Sequence, residues 1–392
     1  MRAELDRRAL ALLSSGHLAT DLASGSLPAL LPFLVDKYDL SYTLAAVLVL
    51  ASAVSSSVIQ PVFGLWSDRR GALWLLPTGV AVAGIGIGLA AIAPSYGVTA
   101  LLVVISGVGI AAYHPEGSKF TAYASGRRRA SGMSLFSVGG NIGFALGPTL
   151  TTPLVLWLGL RGELLIAVPC LAVAVALALS RRFLGTFEPD HQVRRRTTGA
   201  DRPGALAILL GVIGFRSVAW FGLVTFVPLW EVSLGHSKAY GNHLLSLMLI
   251  VGSIGTLLAG PAADRFGRRP VLTFSTAVTC PLMLVFVLVG GAAGAVCLAL
   301  VGMAVISTFG VTMVMSQEYL PRHIGMASGL SIGLSIGLGG LAAVILGALA
   351  DSIDLRTSLL VSAAAPLVAL FLCFLLPPTR EKTRLQPEIA VP

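Results

Sequence analysis

The sequence predicts an all-α membrane protein: twelve transmembrane helices in two pseudo-symmetric six-helix bundles. Three observations carry this. Of 392 residues, 55% are hydrophobic and only 11% charged, with a mean hydropathy of +0.87, where a soluble domain carries about 25% charged residues. Apolar runs of about 20 residues recur from end to end, each long enough to cross a hydrocarbon core of about 30 Å. The two halves of the chain also repeat each other in sequence.

The spans are bounded by basic clusters and by Gly/Pro punctuation. The first, 9–34, follows Arg2, Arg7 and Arg8, and its apolar pattern runs through Pro32, too far for a cleaved signal. The second, 43–65, lies between Lys37 and the pair Arg69 and Arg70, and the third, 72–93, follows that pair. The fourth, 97–122, ends before Arg127, Arg128 and Arg129; the fifth, 130–157, ends before Arg161; the sixth, 162–183, ends at Arg181 and Arg182. A polar stretch from Gly185 to Pro203 then holds Glu188, Asp190, the run Arg194 to Arg196, and Asp201, and reads as a linker. The second set is 204–230, 240–262, 270–290, 292–316, 324–350 and 356–377. The domains are therefore 1–183 and 204–380, joined by a cytoplasmic linker at 184–203 and followed by a cytoplasmic tail at 381–392.

Of the Lys and Arg residues outside the spans, 22 fall on one side and 4 on the other: Lys37, Arg161, Lys238 and Arg356. The positive-inside rule then places both termini in the cytoplasm. The net charge of +9 is topological, and nucleic acid is not expected as a partner. The four cysteines all lie in apolar runs, as packed thiols do.

Gly64, Asp68, Arg69 and Gly71, after the second span, recur as Gly260, Asp264, Arg265 and Gly267 after the eighth, at an offset of 196 residues. Pro32 maps onto Pro228 by the same offset, and Ala130-Ser131-Gly132 resembles Ala327-Ser328-Gly329 at 197. Two parallel six-span repeats are the architecture of transporters that rock two halves about a central site. The duplicated Gly-x-x-x-Asp-Arg-x-Gly loop resembles the signature of the major facilitator superfamily. Its Asp68, Arg69, Asp264 and Arg265 are expected to gate, latching helix ends by charge.

The segment Gly139, Gly140, Asn141, Gly143, Gly147, Pro148 partly resembles the Gly-x-x-x-Gly-Pro motif of superfamily antiporters, although the closing glycines are replaced by Thr149 to Thr152. Small residues four apart also permit close helix contact. Three further segments, with Ser15, Gly16, His17 and Asp21; Gln60, Pro61, Trp66 and Asp68; and Tyr113, His114, Pro115, Glu116 and Ser118, are followed by Phe136 to Gly143. Over residues 15–148 the chain resembles the fosmidomycin-resistance family of drug exporters. The resemblance implies proton-coupled antiport of a small toxic compound such as an antibiotic, anionic or phosphonate-like, out across a bacterial inner membrane.

Ionisable groups within spans cost about 2.5 to 3.5 kcal/mol each on insertion scales, so the few present call for a reason. His17 and Asp21 are four apart on one helix face, with Asp21 about 18 Å into its span. Arg216 lies at a similar depth in span seven, one residue from the repeat equivalent of Asp21. In the superfamily, spans one, four, seven and ten line the cavity, so Asp21 and Arg216 are expected to face each other and to exchange proton and substrate by charge competition. The alternatives are a static ion pair, or two groups each satisfied separately by backbone and water. His114 and Glu116, beside Pro115, are expected to gate or relay protons near the cytoplasmic mouth, and Glu318 to latch that face. Proton coupling is thus assigned to Asp21, His17, His114 and Glu116. Substrate binding is assigned to Arg216, Trp220, Asn141, Tyr113 and Gln317. His191, His236 and His243 are assigned nothing.

No Walker-type loop, no His-Glu-x-x-His and no sizeable soluble domain is present, so neither an enzyme nor an ATP-driven pump is expected. No cofactor or metal is expected; the partners are a small-molecule substrate, protons and lipid, and the chain is expected to work as a monomer. A proton symporter importing an organic anion would use the same fold, since shared motifs do not set direction. A non-transporting sensor or scaffold would leave the acid and base groups at mid-membrane without a role.

Overall fold

The computed structural model describes residues 5–60, 62–63, 72–126, 129–187, 200–321 and 324–377. Among the described residues twelve helices build the two bundles: α1 (Arg7–Tyr38), α2 (Tyr42–Ser57), α3 (Leu75–Ile92), α4 (Tyr96–Ala124), α5 (Arg129–Leu158), α6 (Ala167–Leu179), α7 (Pro203–Ser233), α8 (Lys238–Phe266), α9 (Arg268–Leu288), α10 (Gly291–Tyr319), α11 (Ile324–Ser352) and α12 (Leu355–Leu375). Each matches one expected span. The sixth differs: it opens with a 3-10 turn, Gly159–Ile166, before α6 begins. Asp68 and Arg69 lie outside the described residues.

Helix starts are set by local capping chemistry. Asp6 accepts from the Ala9 amide at 3.0 Å, and Ser41, Ser95, Ser237 and Asp354 cap α2, α4, α8 and α12 in the same way. Large apolar side chains such as Leu101, Phe274 and Leu179 point outward, as a lipid-facing surface requires. All four cysteines are free, and three of them are buried.

Within the first half, α1 runs centrally and packs most intimately on α5. A Cβ on Gly25 would stand 2.1 Å from the Phe144 carbonyl oxygen, and one on Gly147 2.2 Å from the Gly25 carbonyl carbon. The small residues of the antiporter-like segment therefore serve backbone-to-backbone contact between α1 and α5.

The halves meet along two seams, α2 against α11 and α5 against α8. On α11, Gly347, Gly340 and Gly333 are seven apart and so share a face. A Cβ at Gly347 would lie 2.8 Å from the Tyr42 carbonyl oxygen, and one at Gly340 3.0 Å from Leu50; at Gly333 it would meet nothing within 4 Å. The halves are thus closed at the end away from the termini and part toward the end that carries them. The second seam is polar: Asn242 to Thr152 at 2.9 Å, Thr149 to Ser246 at 3.1 Å, and Asn141 to Thr256 at 3.3 Å. At the closed end Asp351 accepts from the amides of Tyr42 and Thr43 at 2.8 and 2.9 Å, and Lys238 pairs with Asp36 across the two halves.

Candidate functional site

Halfway along α1, the carboxylate of Asp21 sits between two imidazoles. His17, one turn earlier, brings Nε2 to 3.3 Å from one oxygen, and His114 of α4 brings Nε2 to 3.3 Å from the other. The side chains are 12, 20 and 23% exposed for His17, Asp21 and His114, so the cluster is sheltered but reachable by water. Phe136 of α5 stacks on His17 with ring centroids 4.1 Å apart.

The second nitrogen of each ring fixes the chemistry. His17 Nδ1 lies 2.7 Å from the Phe136 carbonyl oxygen, and His114 Nδ1 lies 2.8 Å from that of Ile110. A carbonyl oxygen can only accept, so each Nδ1 carries a hydrogen. A neutral imidazole in this tautomer turns its Nε2 lone pair toward the carboxylate. The 3.3 Å contacts are attractive only when a proton sits on Nε2 or on Asp21.

Among the described residues this is the one group of three or more such side chains close enough to hold a cation, with donor atoms within 4.8 Å of one another. Gly140 of α5 closes one side of it: a Cβ there would stand 2.4 Å from His17 Nε2 and 2.7 Å from the Asp21 carboxylate. Protons on the two imidazoles satisfy the contacts without a further ligand.

Glu116 is not part of this cluster. It is wholly buried, and its carboxylate pairs with Lys119, three residues on, at 2.9 Å. The expected partnership of His114 with Glu116 is therefore divided: two residues apart on a helix, they face different neighbours. Tyr113, expected to touch substrate, is instead wholly buried, its hydroxyl donating to the Leu13 carbonyl.

Arg216 does not pair with Asp21 in this structure. Its guanidinium, 5% exposed, donates to the Thr308 hydroxyl and to the Val305 carbonyl at 3.4 Å, both on α10. Equal depth put the two charges at one level, but Arg216 turns toward α10 within its own half. Its partners there are one hydroxyl and one carbonyl, while Asp21 is held by two imidazoles, so each charge has side-chain partners within its own half. Ser217, the repeat equivalent of Asp21, bonds Ser335 at 2.7 Å.

Of the other nominated residues, Trp220 of α7 packs near Phe144 of α5, with centroids 6.3 Å apart across the halves. Asn141 bridges α5 to Thr256 of α8. Gln317 is half-buried near the end of α10, nine residues beyond Thr308 and so about 14 Å along the helix. Glu318 forms an ion pair with Arg268. Arg269 donates from Nε to the Cys373 carbonyl at 3.2 Å and from Nη2 to that of Phe374 at 2.8 Å, capping the end of α12. Arg268 and Arg269 are not among the residues expected to latch this face; Asp264 and Arg265, which are, stand exposed. His236, assigned nothing from sequence, pairs with Glu231 at 2.6 Å.

Two residues of consequence were not nominated. Thr308 anchors Arg216, and no pattern in the sequence marks it. Glu163, buried in the 3-10 turn, was legible as an acidic residue inside an expected span.

A fold of two six-helix repeats, closed at one end, with charge at mid-membrane, defines a membrane transporter of the rocking type. The family model of the Major Facilitator Superfamily matches residues 13–343 and 209–391, and the chain belongs to that superfamily. It is 32% identical over 382 residues to an uncharacterized MFS-type transporter, YfnC, of Bacillus subtilis, covering 94% of this chain and 92% of that protein. It is 30% identical over 383 residues to the fosmidomycin resistance protein of Escherichia coli, covering 95% and 93%. Among solved structures it resembles a bacterial homologue of the human lysosomal transporter Spinster in an inward-facing, occupied conformation, with a TM-score of 0.78 at 15% identity, covering 97% and 98% of the two chains. The inward-open xylose transporter XylE of E. coli aligns with a TM-score of 0.74 at 14% identity, covering 95% and 97%. The protein is a multi-pass membrane transporter of small molecules, and not an enzyme.

Proposed function

We propose that the protein is a proton-coupled antiporter that exports a small toxic compound from the cytoplasm across a bacterial inner membrane, with both termini cytoplasmic. The observation that carries this reading is the Asp21 carboxylate between two imidazoles whose Nδ1 hydrogens are already committed to backbone carbonyls. Such a cluster is held together by the protons it binds. A substrate group that donates hydrogen bonds to Asp21 replaces those protons, so the two occupants exclude each other and exchange results. Arg216, fixed by Thr308 and permanently charged, supplies the attraction for an anionic portion of the same substrate. Trp220 and Asn141, at the junction of the halves, bound the same space, and Gln317 and Glu318 stand toward its mouth. The duplicated loops serve the movement of the halves, as does the ion pair of Glu116 with Lys119.

The similarity to a fosmidomycin resistance protein supports export and makes fosmidomycin the first compound to try. A second reading rests on one feature: with both imidazoles protonated the cluster carries a net positive charge, which attracts an anion together with its protons and gives symport.

The experiment is substrate accumulation in inside-out vesicles with an imposed pH gradient, acid inside, using fosmidomycin and a panel of small anions. Antiport predicts uptake that collapses with a protonophore and is absent in Asp21→Asn. Uptake driven by the reversed gradient establishes symport, and uptake indifferent to either gradient sinks proton coupling.

A further inference from the structure

Glu163 is the ionisable side chain whose surroundings the reading above leaves unused. It sits in the 3-10 turn between α5 and α6, at the closed end of the first half, and is 0% exposed. One carboxylate oxygen accepts from the Thr151 hydroxyl at 3.2 Å; the other has no hydrogen-bond partner among the described residues. Its other polar neighbours are uncharged: the Ser26 hydroxyl of α1 and the thiol of Cys170 on α6. Arg161, two residues away, is exposed, and no ion pair to Glu163 occurs among the described residues.

A carboxylate buried with one bare oxygen and no counter-ion is far costlier than the neutral acid. With Ser26 donating to the Leu22 carbonyl at 2.9 Å, its hydroxyl oxygen keeps lone pairs for an acid O–H.

The residue beside Thr151 ties this acid to the seam between the halves. Thr152 accepts from Asn242 of α8, and Asn242 also donates to the Ala29 carbonyl of α1 at 3.0 Å. The carbonyl oxygen of the Asn242 side chain is a second buried acceptor without a partner. Two unpartnered acceptors therefore lie on either side of the Thr151 and Thr152 pair, at the contact that must part when this end opens.

We propose that Glu163 is a second proton-binding site, neutral while the Asn242 junction is closed, that exchanges its proton with water only when the junction parts. Opening admits water along the α5 and α8 seam, the acid O–H bond breaks to give carboxylate and a hydrated proton, and closure requires the proton back. This site lies at the opposite end from the termini, whereas the Asp21 cluster is reached from the open side. Each protonation site is thus served by one side of the membrane. The proposal deepens the proton-coupled reading and rests on it for its role in transport, but the protonation state itself can be read without any transport assay.

The test is infrared spectroscopy of the purified full-length protein in lipid, with the carbonyl region recorded as a function of pH and compared with that of Glu163→Gln. The substitutions Asp36→Cys and Lys238→Cys, at the surface pair that bridges the two halves, are joined by a short bifunctional reagent to hold this end shut. A carbonyl band of a protonated carboxylic acid should persist to alkaline pH in the joined protein and titrate at lower pH in the unjoined one. Glu163→Gln should remove the band and Asp21→Asn should retain it; Glu163→Asp, which moves rather than removes the band, assigns it if the glutamine variant fails to fold. Absence of the band from the joined protein, or an identical titration in both forms, overturns the proposal. A lock-dependent band in a protein whose transport ignores pH gradients overturns the proton-coupled reading instead, leaving Glu163 as a state-dependent acid.

Discussion

The two halves descend on one repeat and use it for different chemistry. In the first, α1, α4 and α5 bring a carboxylate and two imidazoles into contact; in the second, α7 and α10 hold one guanidinium against a hydroxyl and a carbonyl. The depth is shared, since position 217 is the repeat equivalent of Asp21 and Arg216 stands beside it. An imidazole has a neutral and a charged form, whereas a guanidinium is always charged. The repeat therefore fixes where charge stands, and local partners decide whether that charge can be switched.

The largest effect should follow from disabling the switchable half. Asp21→Asn keeps the size of the side chain but removes the anion that stands between the two imidazoles. Transport driven by a pH gradient should fall by about 100-fold or more, with protein level in the membrane unchanged. Vesicle uptake normalised to immunodetected protein measures it.

Next comes the fixed half. Arg216→Ala should lose binding of an anionic substrate, and Thr308→Val, which frees one guanidinium hydrogen bond, should weaken it by about tenfold. Because Asp21 and Arg216 do not touch, a double-mutant cycle of Asp21→Asn with Arg216→Ala on thermal stability should be additive within about 0.5 kcal/mol. A coupling of several times that would restore the direct pair and erase the contrast between the halves.

A smaller effect is expected at Gly140. An added methyl group meets His17 and Asp21 inside ordinary contact distance, and overpacking of this kind costs about 1 to 3 kcal/mol. Gly140→Ala should lower the melting temperature and shift the pH profile of transport, whereas Gly333→Ala on α11, with open space around it, should do neither.

The smallest effect contrasts the two final hairpins. The first half enters its sixth helix through the turn holding Glu163; the second enters α12 directly from Asp354, which accepts from the Thr357 amide at 2.6 Å. That backbone hydrogen bond holds the Asp354 carboxyl below its usual 3.8. A depressed native pKa means stability that is present above the unfolded value and fades as pH falls through the native one. Asp354→Ala should therefore be slightly less stable than the parent at pH 7, with the gap closing below about pH 4.

The fold was legible because lipid enforces it: every span needs an uninterrupted apolar run, and every loop on one side carries arginine or lysine. Most helix ends fell within about four residues of the expected spans, the exceptions being α2, which ends at Ser57 where the expected span runs to 65, and α6, which starts at Ala167 where the expected span begins at 162. The 3-10 turn at Gly159–Ile166 was not legible, since its apolar composition continues the span on either side. At the site, His17, Asp21 and His114 could each be nominated from intramembrane polarity alone. Their meeting could not, because it depends on how α1 crosses α4 and α5, and that crossing is set by backbone contacts such as Gly25 against Phe144. Arg216 shows the reverse failure. Depth along a helix is readable from counting, but the face it points to among neighbours is not.

The closed end has one further consequence, drawn from Asp351. Its carboxylate satisfies the first amides of α2, a helix of the other half, and the neighbouring Lys238 and Asp36 are equally polar. Opening this end therefore exchanges protein hydrogen bonds for hydration, and it also uncovers apolar side chains packed between the halves such as Leu30, Leu34, Val227 and Leu245. The balance between the two shapes is then set partly by the thermodynamic activity of water. Solutes excluded from protein surfaces, such as sucrose, should hold the end shut, so that osmotic pressure becomes a handle on the resting shape of the transporter.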